Sequence, residues 1–260
     1  MLQYTKKAAR SVFHKLGYEI SAIPEPGPLD RDFEAATLLD DARLYHQFVG
    51  PCPTFSPWLG HPDFQAIYQG ADRHTIVSPD RCYMLISLAR HATHLPGHFA
   101  ECGVYKGGTA LMLARLLNNE PGRHLYLFDS FQGLPKATKE EERWFAEGEF
   151  RFESVEKIKE LLNEFRSVFV RPGWIPDTFA GLEDRRFAFA HLDVDLYQST
   201  LDCCRFFYPR MLPGGVLLFD EYGFAPARGE RDAVDEFFAD KPERPISLPT
   251  GQAFVLKLPE

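Results

Sequence analysis

The stretch FAECGVYKGGTALMLARLL, residues 99–117, decides the fold. It opens as a short apolar run, breaks at Gly103, carries adjacent glycines at 107 and 108, and continues as a run of helix formers. A short apolar run that ends at glycine and passes directly into a helix reads as strand, tight turn and helix, the first half of a strand–helix–strand unit. Glycine in such a turn takes backbone angles closed to other residues and lets a ligand approach the chain closely.

The alternation continues downstream. HLYLFDS (124–130) reads as a second strand ending in Asp129, SVEKIKELLNEF (154–165) as an amphipathic helix, and VFVRPGW (168–174) as a third strand. FAFAHLDVD (187–195) is a fourth strand, followed by the helix STLDCCRFFYPRM (199–211) and a fifth strand, GGVLLFDEY (214–222). ERDAVDEFFADK (230–241) is a further helix, and ISLPTGQAFVLKL (246–258) closes the chain as an antiparallel pair. Upstream, VSPDRCYMLISLARHATH (77–94) reads as a helix capped by Ser78, with Pro79 in its first turn and Met84, Leu85, Leu88 and Ala89 on its apolar face. Strands alternating with helices predict an α/β fold, a mostly parallel Rossmann-like sheet with a C-terminal antiparallel strand and helices on both faces. Ligands of such sheets bind at the C-terminal ends of the strands, where the polar residues of this chain concentrate.

Residues 1–75 read differently. MLQYTKKAARSVFHKLGYEI is basic and mildly amphipathic, SAIPEPGPLD (21–30) is a Pro-rich loop, 31–49 holds a helix, and PCPTFSPWLGHPDF (51–64) is irregular. The organisation expected is an N-terminal extension or lid over 1–75 and one catalytic domain over 76–260, a length that fits a single large α/β domain.

The formal net charge of −8 and the lack of a basic run argue against nucleic acid as partner. No run approaches the roughly 20 apolar residues of a membrane span, and the N-terminus lacks a secretion signal's apolar core. The five cysteines are scattered, Cys203 and Cys204 are adjacent, and no CxxC pair exists. That usage fits a reducing compartment, and a cytoplasmic protein is expected.

Two constellations carry the chemistry. In the first, Glu101, Gly103, Val104, Tyr105, Gly107 and Thr109 span the strand–helix turn, and Asp129 with Ser130 ends the next strand, Asp129 lying 28 residues after Glu101. A carboxylate at the place of Asp129 accepts hydrogen bonds from ribose hydroxyls. The glycine spacing is GxxxGG after an acid, not GxGxxG. An acid there repels a pyrophosphate and suits a cationic ligand such as the ammonium and sulfonium of S-adenosylmethionine. In the second, Asp193 and Asp195 end the fourth strand on one expected face, and Asp220-Glu221 ends the fifth, 27 residues after Asp193. Clustered carboxylates raise one another's pKa unless a cation sits among them, and oxygen ligands favour Mg²⁺, Mn²⁺ or Ca²⁺. Asp195 serves equally as a helix cap. His191 shares the phase of Asp193 and is read as a supporting group or general base. His91, His94 and His98 read as helix-end and loop histidines rather than a metal trio.

The blocks FAECGVYKGGTALMLARLL, LFDSFQGLP, HLDVDLYQST, YPRMLPGGVLLFDEYG and ERDAVDEFF together resemble the macrocin O-methyltransferase family over about residues 75–240. The resemblance implies S-adenosylmethionine-dependent, Mg²⁺-assisted methylation of a sugar hydroxyl on a small natural product, by a homodimer or larger homo-oligomer whose N-terminal segments help cover the site. It assigns Glu101, Gly103 and the neighbouring backbone to the methionine part of the cofactor, Asp129 and Ser130 to the ribose side, and Asp193, Asp220 and Glu221 to the metal, with Asp193 also the base. The chain departs from the family in Val194, where glycine is common, in Glu221, where aspartate is common, and in Gln198, where glutamate is common. The competing readings are a nicotinamide-dependent oxidoreductase on the same scaffold, against which the missing GxGxxG argues, and a silent binding protein, against which the intact carboxylates argue. An iron hydroxylase would need a two-His-one-carboxylate motif, which this sequence lacks.

Overall fold

In the computed structural model, which describes residues 56–259 apart from 139, 140, 142, 143 and 153, the strand–helix alternation runs as the sequence predicts. The basic N-terminal stretch, the loop 21–30 and the helix expected over 31–49 lie outside the described residues. The strands are β1 (His98–Cys102), β2 (Leu125–Asp129), β3 (Val168–Pro172), β4 (Phe187–Leu192), β5 (Met211–Phe219), β6 (Ile246–Ser247) and β7 (Ala253–Leu256). They form one sheet in the order β3-β2-β1-β4-β5-β7-β6. β1 to β5 pair in parallel, and β7 closes antiparallel to β5 with β6 beyond it. The order reverses at β1, which places the crevice between β1 and β4, where open α/β sheets bind ligands.

The period of two along each strand divides the interior into two layers. Phe99, Leu125, Leu127, Phe189, Val216 and Leu218 face one layer. It is covered by helices α2 (Pro79–Ala92), α3 (Gly108–Leu117) and α4 (Val155–Leu161). Ala100, Phe128, Phe187, Ala190, Leu192, Leu217 and Phe219 face the other, covered by α5 (Tyr197–Phe207) and α6 (Arg228–Phe238). The central strands read as unbroken apolar runs because both faces are buried. Helix α3 is buried nearly all round, which explains why its sequence is apolar on every side.

Three local expectations shift. Ser78 occupies the N-cap of α2 but its side chain makes no capping bond, and the buried face runs through Cys82, Leu85, Ile86 and Ala89, with Met84 and Leu88 at its margin. Helix α4 is shorter than expected, ending at Leu161, although Ser154 does cap it by accepting the Lys157 amide at 3.3 Å. β4 stops at Leu192, so the chain through Asp193 and Asp195 has already left the sheet.

Ahead of α2, helix α1 (Pro62–Tyr68) and a 3₁₀ turn over Ala71–His74 pack on the same layer through Phe64 and Ala71. A β-carbon on Gly108 would lie 2.7 Å from the carbonyl oxygen of Ala71, so the entry to α3 is set directly on that turn.

Candidate active site at the C-terminal edge of the sheet

The glycine turn is built to bring two strand ends together. Gly103 has φ of +85°, and a β-carbon there would overlap the carbonyl oxygen of Asp193. Both the angle and the space demand glycine. The amide of Gly103 donates to Phe128 O at 2.9 Å, and that of Asp193 to Cys102 O at 2.9 Å, which stitches the ends of β1, β2 and β4. Asp129 then clamps the turn from below: its Oδ2 accepts the amides of Val104 and Tyr105 at 2.7 and 2.9 Å, and its Oδ1 accepts that of Phe131 at 2.6 Å. A carboxylate offers about four lone-pair positions, so one remains for a ligand hydroxyl. Ser130 donates to Gly133 O at 2.9 Å and accepts from the Gln132 amide at 3.0 Å, shaping the following turn.

These residues open on a cavity of about 440 Å³. Gly103, Val104, Tyr105, Thr109, Asp129 and Ser130 line it, and so do Asp193, Asp195, Gln198, Asp202 and Glu221. Its sides are His74–Val77 before α2, Leu134–Lys136 and Phe150 from the loop after β2, and Gly173–Ile175 after β3. Glu101 and Gly107 are not among the lining residues. Gly107, with φ of +83°, starts α3 and faces Ile158 and Leu161 of α4. Glu101 is fully buried in the sheet, where its Oε1 lies 2.9 Å from His191 Nδ1.

The structure gathers Asp193, Asp195, Asp220, Glu221 and His191, but not on one strand face. Asp195 takes φ of +57°, which turns it out of any extended run. His191 is fully buried, with Nε2 3.3 Å from Asp220 Oδ1 and Nδ1 on Glu101, so neither ring nitrogen faces the cavity unpartnered. Burial works against the charged imidazole, yet the hydrogen bonds to Asp220 and Glu101 outweigh it and push its pKa up to about 10. Burial also raises Asp193 well above the usual carboxylate range, helped by Asp220 and Asp195. Asp195 rises to about 7, through burial and then Glu221 and Asp220. Asp220 alone is lowered: burial opposes ionisation, but the hydrogen bond and charge of His191, with Arg81, prevail.

Arg81 from α2 enters this group. It lies 2.8 Å from Asp220 Oδ2, bonds Glu221 Oε1, and stacks over the Phe224 ring at 4.8 Å. Gln252 donates to Asp220 Oδ1 at 2.6 Å, and Glu230, fully buried on α6, accepts the Glu221 amide at 2.8 Å. Glu230 opens the block ERDAVDEFF, whereas Arg81 and Gln252 belong to no motif near the carboxylates in sequence. The same is true of Glu141, whose Oε1 accepts the Tyr197 amide at 2.8 Å while Oε2 accepts the amide and hydroxyl of Thr138. Glu141 thereby fastens the loop after β2 to the N-terminus of α5.

The donor set fits a hard divalent cation. Among the described residues the grouping with metal-ligand spacing is His191, Asp193 and Asp220, whose ligand atoms lie within 4.8 Å of one another. His91, His94 and His98 form none; His98 instead stacks on His124, ring centroids 5.0 Å apart. Asp220 Oδ2 is buried and meets Arg81 as an ion pair at 2.8 Å without a directed hydrogen bond, and Asp220 is not among the residues lining the cavity. Carboxylates that raise one another gain from a cation among them, and oxygen donors suit Mg²⁺ or Ca²⁺.

Residues 72–248 match the family described as macrocin O-methyltransferase (TylF). The chain is 30% identical over 207 residues to the 8-demethyl-8-(2,3-dimethoxy-α-L-rhamnosyl)-tetracenomycin-C 4'-O-methyltransferase of Streptomyces olivaceus, covering 72% of this chain and 77% of that one. It is 29% identical over 185 residues to the demethyldecarbamoylnovobiocin O-methyltransferase of Streptomyces niveus, covering 65% and 69%. Among solved structures, that of the O-methyltransferase NovP superposes with a TM-score of 0.64 at 25% identity, over 72% of this chain and 83% of that one.

Proposed function

The chain belongs to the macrocin O-methyltransferase family and is an O-methyltransferase, and from that premise we propose that it transfers the methyl group of S-adenosylmethionine to a sugar hydroxyl of a small natural product, with a divalent cation at the acidic group. The observation that carries this reading is that one cavity is lined both by the glycine turn and Asp129 and by Asp193, Asp195 and Glu221. The sugar is proposed because the tetracenomycin relative is named for a rhamnosyl compound.

When bound, S-adenosylmethionine supplies the methyl group, and a divalent ion, Mg²⁺ in this reading, lowers the pKa of the acceptor hydroxyl. The chain's own residues do the rest. The Gly103–Tyr105 backbone, with Val104 and Thr109, presents a close surface to the methionine end. Asp129 keeps one lone pair for a ribose hydroxyl, with Ser130 beside it. Asp193, Asp220 and Glu221 would hold the ion, and Asp193 would receive the acceptor's proton at a carboxylate oxygen. His74–Val77 and Trp174 wall the cavity and would help to hold acceptor and donor in near-attack geometry.

Homo-oligomerisation and a cytoplasmic setting complete the proposal. The described cysteines Cys82, Cys102, Cys203 and Cys204 are free and buried, which supports a reducing compartment. No helix among the described residues is long and apolar enough to cross a membrane.

Calorimetric titration of S-adenosylmethionine into metal-free protein, followed by Mg²⁺, tests the reading, with Asp129→Ala and Asp193→Ala beside the wild type. The expected result is cofactor binding that Asp129→Ala weakens and a metal response that Asp193→Ala removes. Wild type that binds no cofactor overturns it.

A further inference from the structure

Four polar side chains form a buried row across the centre of the sheet. Glu101 on β1 and His191 on β4 are register partners, Asp220 follows the last residue of β5, and Gln252 precedes the first residue of β7. Alternation puts all four in the layer beneath α2, beside Phe99, Phe189, Leu218 and Phe254. All four are fully buried. The row is continuous: Glu101 Oε1 to His191 Nδ1 at 2.9 Å, His191 Nε2 to Asp220 Oδ1 at 3.3 Å, and Gln252 Nε2 to the same Oδ1 at 2.6 Å.

We infer that Glu101 and His191 are positioning residues for the cation, aiming Asp220 through hydrogen bonds rather than touching cofactor or acceptor. The inference rests on the reading that the carboxylates hold a divalent ion. Three features carry it. Glu101 is absent from the cavity wall although it immediately precedes the glycine turn; its Oε1 is bonded to His191 inside the sheet, and its Oε2 is buried without a hydrogen-bond partner. His191 is held at both nitrogens, which fixes the ring and leaves no free nitrogen for an acceptor proton. Asp220 Oδ1 is saturated by His191 and Gln252, which directs the carboxylate so that Oδ2 is the oxygen left without a directed hydrogen bond. Partners one shell behind a ligand fix its orientation, and their loss typically costs about 10–100-fold in metal affinity.

The test uses the full chain and Mn²⁺ alone as probe, followed by the electron paramagnetic resonance of free and bound ion, with S-adenosylhomocysteine binding measured separately by calorimetry. Glu101→Gln and His191→Gln are each expected to weaken Mn²⁺ by about 10–100-fold and to change the line shape of bound Mn²⁺. S-adenosylhomocysteine affinity should move by less than about threefold, a change of under 1 kcal/mol. The double variant should be no worse than the weaker single one, because both act along one row. If His191→Gln does not fold, Glu101→Gln and Gln252→Met carry the same comparison. Glu101→Gln that weakens S-adenosylhomocysteine and spares Mn²⁺ overturns the inference and returns Glu101 to the cofactor. Unchanged Mn²⁺ affinity and line shape in folded variants overturn it as well. Wild type that takes up no Mn²⁺ removes the metal reading itself and the inference with it, an outcome separate from a wild type that binds and variants that bind equally.

Discussion

The backbone of Gly103 passes so close to the carbonyl oxygen of Asp193 that no β-carbon fits between them. One contact therefore joins the glycine turn to the acidic group. Gly103→Ala meets both a left-handed φ of +85° and that overlap. The backbone angle alone costs about 1–2 kcal/mol, and the overlap forces β1 and β4 apart. The expected outcome is a lower midpoint of thermal unfolding together with weaker S-adenosylmethionine and weaker Mg²⁺ binding; a variant that loses only one ligand would separate the two.

Asp129 satisfies three backbone amides. Asp129→Ala strands them, at about 1–3 kcal/mol for each amide left without a partner, less whatever water from the cavity restores. Asp129→Asn keeps one oxygen and should fall between. Chemical denaturation of the three proteins orders them wild type, Asn, Ala, and cofactor affinity should follow the same order.

Glu141 ties the loop after β2 to the first amide of α5. Its removal leaves the amides of Tyr197 and Thr138 unpaired. Glu141→Ala should cost about 1–3 kcal/mol of stability and speed hydrogen exchange over residues 131–138. Because Leu134–Lys136 line the cavity, KM for the acceptor should rise more than kcat falls.

A histidine pair far from the cavity sets an acid limit. Burial lowers the pKa of His98 to about 4, with the charges of His124, Arg185 and Arg123 adding to it, and burial also lowers His124. A folded pKa below the unfolded value of 6.5 means the unfolded chain binds more protons between them. Stability is therefore full above about pH 6.5 and is lost as pH falls toward about 4. His98→Gln should flatten the decline in unfolding temperature between those values; an unchanged slope would assign the acid limit to other groups.

Much of this was legible in the sequence, and the exceptions share a cause. The sheet, its parallel core, the closing antiparallel pair and the turn at Gly103 followed from apolar period and glycine placement, signals that are local. The strand-end placement of Asp129, Asp193, Asp220 and Glu221 was legible because strand ends concentrate on one edge of such a sheet. Arg81, Gln252 and Glu141 were not, because each reaches the site from an element distant in sequence and no local pattern marks it. Glu101 was read as a cofactor ligand from its place before the glycines. The structure bonds its Oε1 to His191 by register, since a residue within a strand points along the sheet's own alternation and not along the turn that follows. The face expected to unite Asp193 and Asp195 failed for a related reason: the apolar–polar alternation runs on through HLDVD, but the strand ends at Leu192.

The seating of Gly108 on the Ala71–His74 turn bears on how this enzyme's selectivity can be altered. The turn leads straight into His74–Val77, one wall of the cavity, so that wall and the entry to α3 are a single packed unit. Grafting residues 74–77 alone from a relative would set a foreign wall on a native footing. A chimera that exchanges 62–77 as a block, with the residue at 108 taken from the same parent, moves the wall together with the surface it rests on.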